Sequence, residues 1–208
     1  NTLGADGTFG FVSVALGDFP ITTDGLTGDA DFINLSASSY QATGAYDVTE
    51  TVADGWLLES ATCDDDSSPG AIDLQPGETV TCTFLNQAVA DITIVKETIG
   101  LPNGRFTFTV SGPLSDEFDI LTVDGTGQEM EINIPVGLYS FEEKINGPFA
   151  LISMECDNGD TADALTLGVA DDVTCTFVNV PALPVPVNNP WALLMMILTM
   201  LAGGWYFR

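Results

Sequence analysis

Apolar and polar residues alternate in short stretches through most of the chain, and this pattern predicts β-strands. Up to residue 89, these stretches are separated by turn dipeptides such as Gly-Asp, Asp-Gly and Pro-Gly. They span residues 9–16, 19–22, 30–34, 46–51, 56–63 and 79–85. No stretch before residue 190 has sustained helical periodicity, so we expect an all-β protein built from β-sandwiches.

The pattern occurs twice in the chain. The residues Gly44, Tyr46, Glu50, Cys63, Cys82 and Asn86 recur at a constant offset as Gly137, Tyr139, Glu143, Cys156, Cys175 and Asn179. Such a constant offset indicates a tandem duplication. We therefore predict two tandem sandwiches, residues 1–89 and 90–180, joined by residues 87–90, which are too few to let the two move freely.

An alternating β-branched strand, residues 91–96, precedes the second repeat, but the first repeat has no counterpart because the chain begins just after the place where it should end. A sandwich without this edge strand exposes unpaired backbone groups and an apolar slot. A strand from another chain can fill such a slot. We expect either strand complementation by a neighbour, or a piece of upstream sequence that is missing here.

The C-terminal region has a different pattern. Residues 181–190 are proline-rich and predict a stiff, extended linker, and residues 191–207 then run without a charge to Arg208. This length is at the short limit for a membrane-spanning helix. We expect a hydrophobic helix over 191–208 that is buried in a membrane or in a bundle of neighbouring tails. Its predicted packing residues are Trp191, Leu194, Ile197, Leu198, Leu201 and Trp205.

Composition restricts the function. The chain has 30 acidic residues, 4 basic residues and no histidine. This balance excludes nucleic acid as a partner, because phosphate binding needs a basic surface. The sequence shows no nucleophile elbow and no phosphate-binding loop, and it predicts neither an enzyme nor a cofactor.

The four cysteines form two pairs with identical spacing, without a C-x-x-C motif. This spacing predicts the disulfides Cys63–Cys82 and Cys156–Cys175, and with them export to an oxidising, extracellular compartment. Four reduced core cysteines are the alternative. The chain has no initiator methionine and no signal peptide, so we expect that it starts on a processed or truncated terminus.

Several motifs carry a family resemblance. Residues 46–52, Gly55-Trp56 and residues 81–86 resemble the prealbumin-like, SpaA/Cna-B-type domains of bacterial surface proteins, and the resemblance covers both repeats. It implies prealbumin-like or Ig-like sandwiches that act as stalks, pilin modules or adhesin spacers. The tail resembles a C-terminal sorting segment of the IPTL or PEP-CTERM kind, although it ends in one basic residue where a cluster is usual.

Strand alternation directs three polar residues of the second repeat, Lys96, Glu143 and Asn179, into one core. The resemblance implies that they form an isopeptide bond between Lys96 and Asn179, assisted by Glu143, or by Glu142 if the strand slips by one residue. A buried ion pair, or a Lys96 that extends out to solvent, is the alternative.

The first repeat has Glu50 and Asn86 at the matching positions, but residues 1–95 contain no lysine. A bond at Asn86 therefore needs a lysine from upstream sequence or from another subunit. Otherwise these two residues are relics of the duplication that hydrogen-bond to the backbone.

Acidic loops offer different chemistry. Asp64, Asp65, Asp66, Asp157 and Asp160 follow the first cysteine of each repeat and are candidate calcium ligands, although their spacing is not that of an EF-hand. Solvated turns are the alternative interpretation.

Together these features predict a structural subunit of a bacterial extracellular fibre, assembled from copies of itself by strand complementation and tail packing. The alternatives are a membrane-anchored stalk or adhesin, and a surface module that binds calcium or a glycan.

Overall fold

A computed structural model describes residues 1–41, 45–100, 103–144 and 149–182. This part of the chain is all β, apart from two single-turn 3-10 helices at Ser38–Tyr40 and Ala162–Ala164. The strands are β1 (Thr2–Leu3), β2 (Thr8–Val12), β3 (Phe19–Thr22), β4 (Thr49–Thr51), β5 (Trp56–Cys63), β6 (Cys82–Thr98), β7 (Gly104–Ser111), β8 (Asp116–Thr122), β9 (Thr126–Pro135), β10 (Gly137–Lys144), β11 (Phe149–Cys156), β12 (Leu165–Leu167) and β13 (Asp172–Pro181).

The second half of the chain forms two facing sheets. In one sheet, the C-terminal part of β6 lies between β9, which is antiparallel to it, and β13, which is parallel to it, and β11 pairs with the far side of β13. The other sheet has the order β12-β10-β7-β8. Alternate residues of each strand point inward and form one large apolar core.

The first half repeats this arrangement with fewer strands. One layer contains β5, the N-terminal part of β6 and the two-residue strand β1, and the other has the order β3-β2-β4. Its fully buried apolar core consists of Phe9, Phe11, Trp56 and Ala88. The smaller core follows from the smaller number of strands that cover it.

The two halves share one strand. β6 is continuous for 17 residues, and Val89 and Ala90 in its middle are buried. The amide N of Val89 donates to the carbonyl of Gly55 at 2.8 Å, and the Val89 carbonyl accepts from Ala170 N at 3.0 Å. Residues 87–90 are therefore not a linker between elements, since their backbone is held by neighbours from both halves.

Several predicted strand boundaries were wrong. Residues 30–34 form no strand, because Asn34 has a φ of 60° and Ile33 is 78% exposed, which does not fit an extended, half-buried segment. The strand expected over 9–16 ends at Val12, and the one expected from residue 46 begins at Thr49. β1 does not fill the place of the strand that the first repeat was expected to lack: Thr2 pairs with Asn86 as Thr98 pairs with Asn179, so β1 lies just beyond the counterpart of residues 91–96.

Each half contains one disulfide, Cys63–Cys82 or Cys156–Cys175, and no cysteine is free. Each bond joins residues that lie directly opposite each other on adjacent antiparallel strands. The predicted tail helix over 191–208 and most of the linker lie outside the described residues. Within the described part, no helix has both the length and the apolarity that crossing a membrane requires.

Candidate functional site

The candidate site of the second half lies between its two sheets. Lys96 comes from β6, Glu143 from β10 and Asn179 from β13. Each follows an alternating apolar run whose side chains face the core, and the same alternation carries these three polar side chains inward. Lys96 and Asn179 have no exposed surface, and Glu143 is also buried.

Glu143 lies between the other two side chains. Its Oε2 is 3.7 Å from Lys96 Nζ, and its Oε1 accepts a hydrogen bond from Asn179 Nδ2. Lys96 Nζ also donates to the carbonyls of Glu97 and Phe177, each at 3.0 Å. The carboxyl group thus contacts both the amine and the side-chain amide.

Burial changes the titration of this pair. Desolvation lowers the pKa of Lys96, and the negative charge of Glu143 opposes this effect. Desolvation likewise raises the pKa of Glu143, against the effects of the Lys96 charge and the Asn179 hydrogen bond. Both shifts favour the neutral forms, an uncharged amine beside a protonated carboxyl group.

This arrangement suits a condensation between the amine and the amide. A neutral amine is a nucleophile, and a protonated carboxyl group can polarise an amide and protonate its leaving nitrogen. Within the described part of the chain, Glu143 Oε2 and Asn179 Oδ1 have no hydrogen-bond partner. These two oxygens are therefore free to take part in proton transfer and polarisation.

The structure places Glu142 on the opposite face of β10, where it is exposed. Glu143 is therefore the residue in contact with Lys96 and Asn179. Sequence reasoning missed Phe106, whose ring centroid lies 4.5 Å from Lys96 Nζ. The alternating Phe-Thr-Phe run of β7 could have indicated it, since it directs Phe106 and Phe108 to the core.

The first half contains the same pair without a lysine. Asn86 Nδ2 donates to Glu50 Oε1 at 2.7 Å, and the two residues are 2% and 9% exposed. Desolvation raises the pKa of Glu50 against the opposing effect of this hydrogen bond. Among the described residues, Glu50 Oε2, Asn86 Oδ1 and the adjacent Thr2 Oγ1 have no hydrogen-bond partner.

The acidic loops have a structural role. Asp64 Oδ1 accepts a hydrogen bond from Thr81 N at 2.9 Å, and its repeat counterpart Asp157 Oδ1 accepts one from Thr174 N at 3.0 Å. Asp65 accepts from the backbone and hydroxyl of Ser67. Across the described ranges, no three metal-ligating side chains are grouped to hold an ion. The predicted calcium ligands Asp64, Asp65, Asp66, Asp157 and Asp160 therefore gain no support from this arrangement.

The described part of the chain is an all-β fold with a disulfide and a buried Glu–Asn pair in each half. In agreement with this description, residues 1–88 match a family model described as a prealbumin-like fold domain. No curated protein matches the chain.

Several solved structures are similar in outline. The major pilin of Streptococcus pyogenes has 14% identity and a TM-score of 0.33, with 88% of this chain and 94% of the pilin covered. A Mobiluncus mulieris adhesin, described as containing intramolecular disulfide, isopeptide and ester cross-links, has 12% identity, a TM-score of 0.37 and 85% of each chain covered.

Proposed function

We propose that the chain is a structural, non-enzymatic subunit of a bacterial surface fibre. It consists of two tandem prealbumin-like domains, residues 1–89 and 90–180, and a hydrophobic tail. The observation that supports this function best is the burial of Lys96, Glu143 and Asn179, with the Glu143 carboxyl group in contact with both other side chains. Burying three polar groups is costly, and a covalent cross-link between two of them accounts for their position.

In this proposal Lys96 Nζ attacks Asn179 Cγ. The new Nζ–Cγ bond forms, the Cγ–Nδ2 bond breaks, and ammonia leaves. Glu143 donates a proton to the leaving nitrogen and recovers one from Nζ, so that the carboxyl group is unchanged at the end. The product is an amide between the first and the last strand of this half.

The position of this bond suits a protein under tension. β6 leads into the second half and β13 leads out of it, and the two strands are parallel neighbours. A pull along the fibre acts on these two strands. A covalent bond between them transmits the load directly, so that the rest of the sandwich does not have to resist unfolding.

Assembly in this proposal has two contributions. A strand from a neighbouring subunit complements the open edge of the first half, and the apolar tails pack with each other. Two disulfides and a net charge of −26 suit an exported, soluble surface protein. A membrane-anchored stalk is the second candidate, favoured by the uncharged sequence of residues 191–207.

Electron microscopy of the purified chain, residues 1–208, in buffer without detergent tests this proposal. We expect filaments from the full chain and none from a matched chain that ends at Ala182. A full chain that stays monomeric, and that enters lipid vesicles through its tail, would replace the fibre with the membrane-anchored stalk.

A further inference from the structure

The two sheets of the second half have different outer faces. The outer face of the sheet β12-β10-β7-β8 is charged and carries two ion pairs, Arg105–Asp119 and Lys144–Glu117. The outer face of the opposite sheet carries mainly threonine and apolar side chains. We call this surface the threonine-valine face, and it comprises Thr93, Val95, Met130, Thr174, Thr176 and Val178.

Strand alternation gives this face its composition. In residues 92–96 of β6 the even-numbered side chains are buried, most of them in the apolar core, and in residues 173–177 of β13 the odd-numbered ones are. The side chains between them therefore lie on the outer side of the sheet. Val95 pairs with Thr176 across these two adjacent strands, at the centre of the face.

Apolar side chains on both sides of this centre are exposed. Met130, which pairs with Thr93, is 55% exposed, and Ile152, at the bulge of β11 beside β13, is 56% exposed. Two carboxylates, Glu97 and Glu155, lie next to the centre. An exposed apolar surface that is bordered by polar groups marks an interaction site.

The C-terminal tail has the composition and length of an occupant for this face. Residues 191–207 carry no charge, and an uncharged segment of this kind is stabilised by an apolar surface. As a helix it would span about 25 Å, which is also the length of an eight-residue strand such as β11. Arg208, directly after this segment, has the charge that complements Glu97 and Glu155.

The spacer before the tail favours an occupant from a second copy. β13 ends at Pro181, and residues 181–190 contain four prolines, which predict an extended spacer of about 3.1 Å per residue. Such a stiff spacer carries residues 191–207 away from the end of β13, because it does not reverse its direction within a few residues. A neighbouring copy offers the same face to the tail without this reversal.

We propose that the threonine-valine face binds the apolar tail, residues 191–207, of a second copy of this chain. The tail lies across Val95 and Thr176, between Met130 and Ile152. This inference rests on the proposed function and names the surface against which the tails pack.

The test places a photoreactive residue, p-benzoylphenylalanine, at position 176 of the full chain, and at position 109 as the matched control. Thr176 and Thr109 are both half-buried threonines on the outer face of an inner strand of their sheet. Isotopically labelled and unlabelled chains are mixed before assembly and then irradiated. We expect cross-links from position 176 to residues 191–207 that join a labelled to an unlabelled chain, and none of these from position 109. Cross-links only within one chain, or none to residues 191–207, would overturn the proposal.

A charge at the same place gives a second measurement. Thr176→Glu should raise the concentration needed for filament assembly by about ten-fold or more, because burying an unpaired charge is costly. Thr109→Glu should leave this concentration unchanged, and an unchanged concentration for Thr176→Glu would overturn the proposal. If Thr176→Glu fails to fold by circular dichroism, the cross-links still decide.

The two measurements separate this inference from the proposed function. Filaments from the unaltered chain, without cross-links from position 176 to the tail, would leave the proposed function standing and remove only the docking of the tail. A full chain that forms no filaments would remove both.

Discussion

Lys96 and Asn179 lie on adjacent parallel strands, have no exposed surface, and are both in contact with the Glu143 carboxyl group. The pair Asn86 and Glu50 repeats half of this arrangement at 2.7 Å. One chain thus contains a complete set of three residues and a set of two. The comparison between them makes the chemistry of each half separately testable.

The complete set predicts a covalent bond. After reduction of the disulfides, the intact mass of the chain should be lower than the sequence mass by one ammonia, about 17 Da. Tandem mass spectrometry should find a fragment that joins Lys96 to Asn179.

Matched variants identify the reacting residues. Lys96→Arg and Asn179→Ala should restore the full sequence mass, and Glu143→Gln should slow the reaction by removing the proton donor. Lys144→Arg changes a surface lysine and should leave the mass deficit in place. A full sequence mass for the unaltered chain would leave Lys96 and Glu143 as a buried ion pair.

How much of this site the sequence could predict depends on the element. Strict alternation in residues 92–96, 139–143 and 175–179 was enough to direct Lys96, Glu143 and Asn179 inward, because side chains on a strand have a period of two. The contact of Lys96 Nζ with the Phe177 carbonyl and the Phe106 ring could not be predicted. It depends on the register and spacing of strands that are distant in sequence.

The buried carboxyl group of the first half predicts a pH dependence. Burial raises the pKa of Glu50 above its ordinary value of 4.5, so that the folded state retains a proton that the unfolded state releases. The contribution of Glu50 to the stability of the first half should therefore be fully present below pH 4.5 and be lost as the pH rises through the raised pKa. The free energy of unfolding should fall by at most about 1.4 kcal/mol per pH unit in this range.

Denaturant unfolding at several pH values checks this. Glu50→Gln should flatten the pH dependence of the free energy of unfolding of the first half above pH 4.5, whereas the exposed control Glu59→Gln should not. A Glu50→Gln profile with the slope of the unaltered chain would show that Glu50 does not carry the dependence.

Reduction of the disulfides should affect the two halves differently. Each disulfide closes a loop of the same sequence separation, 19, and a loop of this size is worth about 3 kcal/mol. The second half would have a further cross-link, between Lys96 and Asn179, and the first half would not. We therefore expect a reducing agent to lower the melting temperature of the first half more, as measured by differential scanning calorimetry.

The variant pairs Cys63→Ser with Cys82→Ser, and Cys156→Ser with Cys175→Ser, assign the transitions. Adding Lys96→Arg to the Cys156→Ser, Cys175→Ser variant should lower the melting temperature of the second half as much as Cys63→Ser with Cys82→Ser lowers that of the first half. If the two cysteine-pair variants lowered the melting temperatures of their halves equally while Lys96 was unaltered, this would argue against a cross-link in the second half.

The sequence interpretation did not predict that residues 87–90, the junction between the halves, lie within a strand. Gln87-Ala88-Val89-Ala90 looked like a short connection because it separates two repeats. In the structure it is the middle of β6, and Gly55, Val136 and Ala170 each bond to its backbone. These partners are contributed by loops from both halves, and no local pattern predicts such a meeting.

This junction gives the last prediction. Gly55 has a φ of 75°, and a Cβ at this position would lie 2.6 Å from the backbone nitrogen of Ala170. Gly55→Ala therefore adds a backbone clash to the cost of a left-handed φ. We expect it to destabilise the chain by about 2–4 kcal/mol, of which about 1 kcal/mol comes from φ.

Gly17→Ala is the matched control, because Gly17 has a φ of 77° and no atom within 4 Å of the added carbon. It should show the cost of φ alone. Thermal unfolding gives the two losses, and small-angle X-ray scattering shows whether Gly55→Ala loosens the angle between the halves. If both variants lost the same stability and kept the same scattering profile, Ala170 would not brace the junction, and β6 alone would hold the halves in line.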